Sequence, residues 1–472
     1  VSTPRTQAPR SLVIVGGGPG GYEAAHVARA LGADVTIVER QGLGGSAVLT
    51  DVVPSKTLIA SADVMTRINA ARNLGVKVGN SPIGVNHVVA DLGKVHERLL
   101  KLAKTQSRDI RAGLESAGVR VVDGTGRLDG QGAVVVGEGD DAERIPADAI
   151  LVAVGAHPRE LPTAVPDGER IFTWTQIYNL KRIPEHLIVV GSGVTGAEFA
   201  SAYNGLGAKV TLISSRDRVL PGEDADAAEV LESAFEAAGM NVVAQSRAQS
   251  VERTEEGVRV TLSTGETIDG SHCLLAVGSI PNTADIGLEE AGVELTESGH
   301  IVVDAVSRTS APGVYAAGDC TGVFPLASVA AMQGRIAVSH FLGDSVQTLK
   351  LHRVASNIFT APEIASVGVS EADVEAGKFQ ADVYKIPLTT NARAKMMDVT
   401  AGFVKILARK DSGSVIGGVV VGPRASELIY PLALAVNNKL HVDDVANTIT
   451  VYPSLSGSIA EAARRLHNRE YE

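Results

Sequence analysis

Residues 11–40 read SLVIVGGGPGGYEAAHVARALGADVTIVER, and residues 186–215 read HLIVVGSGVTGAEFASAYNGLGAKVTLISS. The two stretches align without a gap, 175 positions apart. Gly16, Gly18 and Gly21 meet Gly191, Gly193 and Gly196; Glu23 meets Glu198; Leu31-Gly32-Ala33 meets Leu206-Gly207-Ala208. Each copy predicts a short β-run, a glycine turn, an alanine-rich helix and a second β-run. In such a unit the first glycine permits the tight turn. The second lets the backbone approach a pyrophosphate, and the third lets the helix pack on the strand. The helix N-terminus then offers free N–H donors and the positive end of its dipole. One such turn is a weak signal; two in register predict two dinucleotide-binding units.

Each copy has an echo further along the chain. Residues 150–158 read ILVAVGAHP and residues 273–281 read CLLAVGSIP, 123 positions apart. Both read as buried strands ending in a glycine turn under a nucleotide, at Gly155 and Gly278. The order of the pieces predicts one nucleotide domain inserted into another. The first is completed by GVYAAGDCTG, Gly313 to Gly322. There a strand delivers Asp319 to a loop, where its carboxylate can take a hydroxyl proton of a ribityl chain.

Working outward, the 472 residues suggest about three domains at roughly 150 residues each. Lysine plus arginine is 43 against 54 acids, a formal net charge of −11, which argues against nucleic acid or an anionic membrane as the main partner. Cys273 and Cys320 make no disulfide framework and have neither CxxC nor zinc-ligand spacing. They read as small buried residues in a reducing cytosol. Val1 to Arg10 is polar, and the short apolar run Leu12 to Val15 ends in glycines, as a strand does and a signal-peptide core does not. No run approaches the ~20 apolar residues of a membrane span. The histidines show no HxxxH or HExxH spacing, so no metal site is expected. Trp174 reads as a packing anchor. The acidic run Gly222 to Asp226 reads as a solvated helix start.

These motifs carry a resemblance. The chain resembles the flavoprotein disulfide reductases, such as lipoamide dehydrogenase and glutathione reductase, over essentially its whole length. The resemblance lies in Gly16 to Gly21, GLGGSAVLTDVVPSK (Gly42 to Lys56), the two AVG turns, GSGVTGAEFA and AAGDCTG. It continues in NARAK (Asn391 to Lys395), GFVKI (Gly402 to Ile406) and YPSLSGSIAEAARR (Tyr452 to Arg465). It implies FAD in the first unit, NADPH or NADH as co-substrate in the second, and a C-terminal dimerisation domain. The cofactor-binding residues it implies for the first unit are Gly16, Gly18, Pro19, Gly20, Gly21, Glu39, Arg40, Gly45, Ser46, Lys56, Gly126, Gly155, Asp319, Leu326, Ala327 and Ser328. For the second they are Gly191, Gly193, Val194, Thr195, Gly196, Ser214, Arg216 and Gly278. Glu39, ending the second β-run, corresponds to the acid that binds an adenosine ribose. In the family Lys56 and Glu198 pair beside the flavin N5, where a cation favours negative charge developing on the reduced ring. The helix that begins at Ser328 can stabilise the same anion with its N-terminus.

The departures from the family pattern matter more. The family carries a redox CxxxxC pair just before PSK, and here those places hold Ala47 and Val52. Near its C-terminus the family has a His-Pro pair with a Glu five residues after the His, and here stand Tyr452 before Pro453, and Gly457. A tyrosine of pKa ~10 is a poor base near neutrality. Both halves of the disulfide apparatus are missing together, which points to a different electron acceptor. The ribose position of the second unit holds Ser214 where the first holds Glu39, with Ser215, Arg216 and Arg218 following. The missing carboxylate and the nearby arginines tolerate or favour a 2′-phosphate.

The fold class is therefore α/β, with two Rossmann-like dinucleotide-binding domains, one inserted in the other, plus a C-terminal α+β dimerisation domain. The expected limits are 1–158 and 286–349 for the FAD-binding domain, 159–285 for the NAD(P)-binding domain and 350–472 for the dimerisation domain. The expected activity is a FAD-dependent NAD(P)H oxidoreductase, a cytoplasmic homodimer passing two electrons to a small acceptor, a quinone by subfamily resemblance and elimination. Lys56, Glu198 and Tyr452 are its candidate catalytic residues. Two alternatives stay open: a soluble pyridine nucleotide transhydrogenase, and an idle partner-binding flavoprotein derived from lipoamide dehydrogenase.

Overall fold

The computed structural model describes residues 10–78, 81–82 and 88–467. The polar stretch at residues 1–9 lies outside them. The chain forms two compact units. One holds the residues up to Ser55, Glu97–Arg159 and Gly278–Leu349; the other holds Lys56–His96, Glu160–Val277 and the residues from Lys350 onward.

In the first unit five parallel strands lie in the order Val314–Ala316, Ala149–Val152, Ser11–Val15, Asp34–Glu39, Arg120–Asp123. The run LVIV is buried along its whole length, as a parallel strand covered on both faces must be. Side chains alternate between those faces. Leu12 and Ile14 join Ala24, Ala25 and Ala28 of the helix Pro19–Ala30, and Ala337 and Val338 of the helix Ala327–Leu342. Val13 and Val15 face the other way, toward Leu128, Val134, Val136 and Ile145 of an antiparallel meander. Gly126, in the first meander strand Gly126–Leu128, sits where a Cβ would press on Val15, Val38 and Val134 at 3.1–3.3 Å, so packing by itself accounts for this glycine.

The second unit repeats the pattern. Its parallel sheet runs Ile171–Thr173, His272–Leu275, His186–Val190, Lys209–Ile213, Asn241–Val243. Ser11 pairs with Asp34 in the first sheet and His186 with Lys209 in the second, at the same register. The repeat read from the sequence is therefore a repeat of fold. The strands of the two echo segments end at Val152 and Leu275. The residues that follow, Ala156–Pro158 and Ser279–Pro281, pair with each other in a short antiparallel ribbon within the first unit. Trp174 is buried.

The C-terminal third is α+β. An antiparallel sheet has the order Ala355–Ile358, Glu363–Gly368, Val415–Gly422, Phe403–Arg409, Ala381–Pro387. Val404, Ile406 and Val420 share a core with Leu432, Ala435, Ile459 and Ala462 of the helices Ala425–Asn438 and Gly457–Arg465. Phe403, Lys405 and Leu407 alternate with that set and take the opposite face.

Candidate functional site

The two glycine turns have one geometry. Gly16 and Gly191 carry φ of +105° and +109°, and a Cβ on either would lie 2.3 or 2.2 Å from a backbone oxygen, of Ala153 or Ala276. A Cβ on Gly21 or Gly196 would lie 2.0 or 1.8 Å from the carbonyl oxygen of Gly16 or Gly191. Those four positions accept only glycine. Gly18 and Gly193 differ from them: nothing lies within 4 Å of where their Cβ would be. Each is the N-cap of its helix, with no side-chain cap over the helix start, where Pro19 follows in one copy and the exposed Val194 and the half-buried Thr195 in the other. Open space before uncapped helix N–H groups is the cradle a pyrophosphate requires. Gly20 is buried, 3.1 Å from Ala317 Cβ on the same measure, so it serves helix packing.

Other first-unit residues gather at the first turn. Gly45 closes on Gly18, and Gly44 donates its N–H to the Gly17 carbonyl at 2.8 Å. Glu39 is buried. Its Oε2 accepts from Gly17 N–H at 2.6 Å, and Oε1 from Gln41 and Gly42. Ser46 is half-buried and Arg40 exposed. Asp319 lies in a short turn, Asp319–Thr321, where burial pushes its carboxyl up from the usual range and His300 partly offsets this. Gln333 holds that turn: its Oε1 accepts from Gly318 N–H at 2.8 Å, and its amide donates to Thr321 Oγ1. Sequence reading missed Gln333, whose only signal is a polar residue on the buried face of an apolar helix. Leu326 occupies the N-cap position of the helix Ala327–Leu342 with no side-chain cap, and Ser328 is exposed in its first turn. Gly155 accepts a hydrogen bond from Asn282 N–H, and Gly278 one from Arg159 N–H.

The second unit departs from the first at one place. Ser214 is fully buried. Its hydroxyl accepts from Ser192 Oγ at 2.7 Å and from Arg216 N–H at 3.1 Å, and faces the carbonyls of Arg216 and Arg218 at 3.2 Å. At the position that matches Glu39, the Ser214 hydroxyl therefore orders the loop that follows. Arg218 is also committed, donating to the carbonyls of Pro221 and Glu223. Arg216 is exposed, and its guanidinium has no hydrogen bond or ion pair among the described residues.

Lys56 and Glu198 meet. Lys56 stands on the helix Val52–Ala70 and Glu198 on the helix Val194–Leu206, and Nζ lies 2.7 Å from Oε2. Glu198 is buried, and its Oε1 accepts from Phe359 N–H at 2.9 Å. The Phe359 ring lies 5.2 Å from the Lys56 ammonium, within cation–π range. Phe359 is a second residue that sequence reading missed, and nothing in the sequence signals it. Each oxygen of the carboxylate thus has a partner, while the partly exposed ammonium keeps donors to spare.

Ala47 lies in the short helix Gly45–Leu49, and Val52 begins the next. Both are half-buried. Cys273 and Cys320 are buried and unpaired. Burial pushes the Cys320 thiol up to about 12 and the Cys273 thiol well above its usual value, so neither offers a thiolate near neutrality. Tyr452 is 85% exposed, in a row with Val451 at 77% and Ile449 at 98%. Asn391 braces this segment, its amide donating to Ser454 O and Ser458 Oγ at 2.9 Å each.

The pyridine nucleotide-disulphide oxidoreductase model matches residues 10–334, and the dimerisation domain of the same class matches residues 354–463. The chain belongs to the pyridine nucleotide-disulphide oxidoreductase family. An NAD(P)H dehydrogenase (quinone) of Mycobacterium tuberculosis is 52% identical over 466 residues, 96% of this chain and 93% of that one. A dihydrolipoyl dehydrogenase of Chlorobaculum tepidum is 36% identical over 458 residues, 96% of each chain. Among solved structures, LpdA from Mycobacterium tuberculosis superposes with a TM-score of 0.92 at 51% identity, covering 97% of this chain and all of that one.

Family membership makes the chain a flavin-dependent NAD(P)H oxidoreductase of mixed α/β fold, with FAD and NAD(P)H as its cofactors. The two cradles at Gly18 and Gly193 fit two dinucleotides. No helix among the described residues is long and apolar enough to cross a membrane.

Proposed function

We propose that this oxidoreductase takes two electrons from NAD(P)H and delivers them to a small diffusible quinone, with no disulfide on the route. The observation that carries this reading is the joint replacement of the sulfur pair and the base, by Ala47 and Val52 and by Tyr452 and Gly457. The likeness to the 52%-identical relative, an NAD(P)H dehydrogenase (quinone), supports the same acceptor. A quinone accepts two electrons and protons directly and needs no thiol partner.

In this reading residues 1–158 and 286–349 hold FAD and residues 159–285 hold the nicotinamide nucleotide. Residues 350–472 join two copies into a homodimer. The matched dimerisation domain and the exposed apolar row Ile449, Val451 and Tyr452 support the dimer. Bound FAD supplies the redox chemistry, accepting a hydride equivalent and releasing two electrons. The protein supplies placement and field. The uncapped turns at Gly18 and Gly193 hold pyrophosphates, Asp319 takes a ribityl hydroxyl, and Lys56, oriented by Glu198, offers its positive charge where negative charge develops. Tyr452 presents a ring and a hydroxyl to the acceptor from the partner copy. Two unpaired thiols support a reducing, cytoplasmic setting.

The test is electron capacity together with acceptor choice. Anaerobic dithionite titration should reach full reduction at two electrons per FAD, without a long-wavelength thiolate–flavin band. Menadione should sustain NAD(P)H turnover, and lipoamide should not. Uptake of four electrons per FAD would sink the proposal, and efficient exchange with a second nicotinamide nucleotide, but none with menadione, would favour a transhydrogenase.

A further inference from the structure

Lys405 lies in the middle of the strand Phe403–Arg409 and is 1% exposed. Its ammonium is 2.8 Å from Asp224 Oδ2 and 2.6 Å from Asp226 Oδ2, and also contacts Glu371. Asp226 has a second cation, Lys385, at 2.7 Å, and the Phe403 ring lies 5.5 Å from both ammonium groups. Desolvation works against the charge on Lys405, yet the three carboxylates outweigh it and hold its pKa above the usual lysine value. A buried lysine with three acids is more than the sheet needs to pack.

The partner that matters is Asp224. It is the N-cap of the helix Ala225–Ala237, accepting from Ala227 N–H at 3.2 Å, and it ends the loop that Ser214 begins. This loop carries Arg216, the exposed guanidinium beside the ribose position. It is pinned at successive points. The Ser214 hydroxyl holds its start, Glu232 accepts from Val219 N–H at 2.6 Å, and Leu220 N–H donates to Ser192 O at 2.9 Å, inside the glycine turn. Leu220 has φ +52°, a left-handed conformation that a side chain adopts only when its surroundings impose it. Lys405, gripping Asp224, fixes the far end.

We propose that Lys405 is a positioning residue for nucleotide selection. By anchoring Asp224 it holds the 214–224 loop so that Arg216 stands ready for a 2′-phosphate. This rests on the reading of residues 214–218 as the adenosine-ribose site of the second unit, and is independent of the electron acceptor.

The test uses the full-length FAD-loaded protein and two non-reducing probes, adenosine 2′,5′-bisphosphate and 5′-AMP, with binding measured by calorimetry. Removing Lys405 by itself strands Asp224 and Glu371, while Asp226 keeps Lys385, so the variant of choice is Lys405→Met with Asp224→Asn, which deletes the Lys405–Asp224 pair while the Asn oxygen keeps the helix cap. The bisphosphate should bind at least fivefold more weakly and 5′-AMP within twofold of wild type, with an unchanged limiting rate of flavin reduction at saturating NADPH. A purely structural role for Lys405 predicts instead that both probes weaken together or that neither does, and either result overturns the inference. Arg216→Met separates the two layers. If it weakens the bisphosphate while the double variant does not, the anchor is wrong; if it changes nothing, the ribose reading falls and the anchor with it. Should the double variant fail to load FAD, Asp224→Asn alone gives the same comparison, with a smaller expected loss of about threefold.

Discussion

Ser192 donates a hydrogen bond of 2.7 Å to Ser214 at the two places where the first repeat has Gly17 donating its N–H to the Glu39 carboxylate at 2.6 Å. The scaffold is the same and the charge is gone. A carboxylate between the phosphate turn and the ribose repels a 2′-phosphate; two neutral hydroxyls do not. With Arg216 exposed beside them, NADPH should be used at least as well as NADH. A charge-assisted contact of this kind is worth on the order of 1.5–3 kcal/mol, roughly tenfold to a hundredfold. Arg216→Met should therefore lower kcat/KM for NADPH by that factor while sparing NADH. Ser214→Glu should move preference toward NADH, at some cost in stability because the site is fully buried. Unchanged NADPH/NADH ratios in both variants would mean that selection is made elsewhere.

The Lys56–Glu198 pair should control flavin reduction. Lys56→Met removes the cation and leaves Glu198 with only the Phe359 N–H. Stopped-flow reduction by NADPH should slow by about tenfold to a hundredfold, the loss of one charged interaction of about 1.5–3 kcal/mol. The unfolding midpoint should also fall, because a buried carboxylate has lost its counter-ion. A variant with the wild-type rate of flavin reduction would leave the pair a structural tie.

Tyr452→Phe keeps the ring and deletes the hydroxyl. If Tyr452 donates to a quinone carbonyl, reoxidation by menadione should slow several-fold while reduction by NADPH is unaffected. Equal oxidative rates would leave the tyrosine a filler of volume. Because the side chain is 85% exposed in the single chain, the substitution should not change monomer stability.

His272 supplies a pH signature for the second nucleotide-binding sheet. Burial, helped by the Arg170 charge, lowers its pKa to about 4, and it stacks on Phe172. In the unfolded chain the imidazole titrates near the usual 6.5. Between about pH 6.5 and 4 the unfolded chain therefore binds a proton that the folded one refuses. This contribution to stability is intact above that window and is lost as pH falls through it. The ring is half-buried, so the effect is on the order of 1 kcal/mol after solvent screening. Urea unfolding at pH 7.5 and pH 5 should show a smaller pH dependence in His272→Gln than in wild type. An unaltered dependence would place the titrating group elsewhere.

Much of the fold was legible in the sequence because its signals are local. A φ of +105° or +109° and a backbone oxygen about 2 Å from a missing Cβ leave glycine no substitute at Gly16 and Gly191, and at Gly21 and Gly196. The unbroken apolar run Leu12 to Val15 likewise marks a parallel strand covered on both faces. The residues Ala47, Val52 and Tyr452 could also be set against the family pattern from the sequence, since they depart from it in residue type.

What only the tertiary structure decided is where polar groups end up. The run Gly222 to Asp226 reads as a solvated helix start, and it does start a helix, but Asp224 is 7% exposed and bound to Lys405. Ser214 reads as the residue at the ribose position, and only the structure shows its hydroxyl buried and bonded to Ser192 and to its own loop. Gln333 gave only the weak signal of a polar residue on an apolar helix face, and Phe359 gave none. In each case the deciding partner is distant in sequence or is a backbone group, and a charge or hydroxyl has no periodicity that announces its partner. Local sequence determines backbone conformation and which face is apolar. Whether a carboxylate meets water or an ammonium 181 residues away is settled only when the chain has closed on itself.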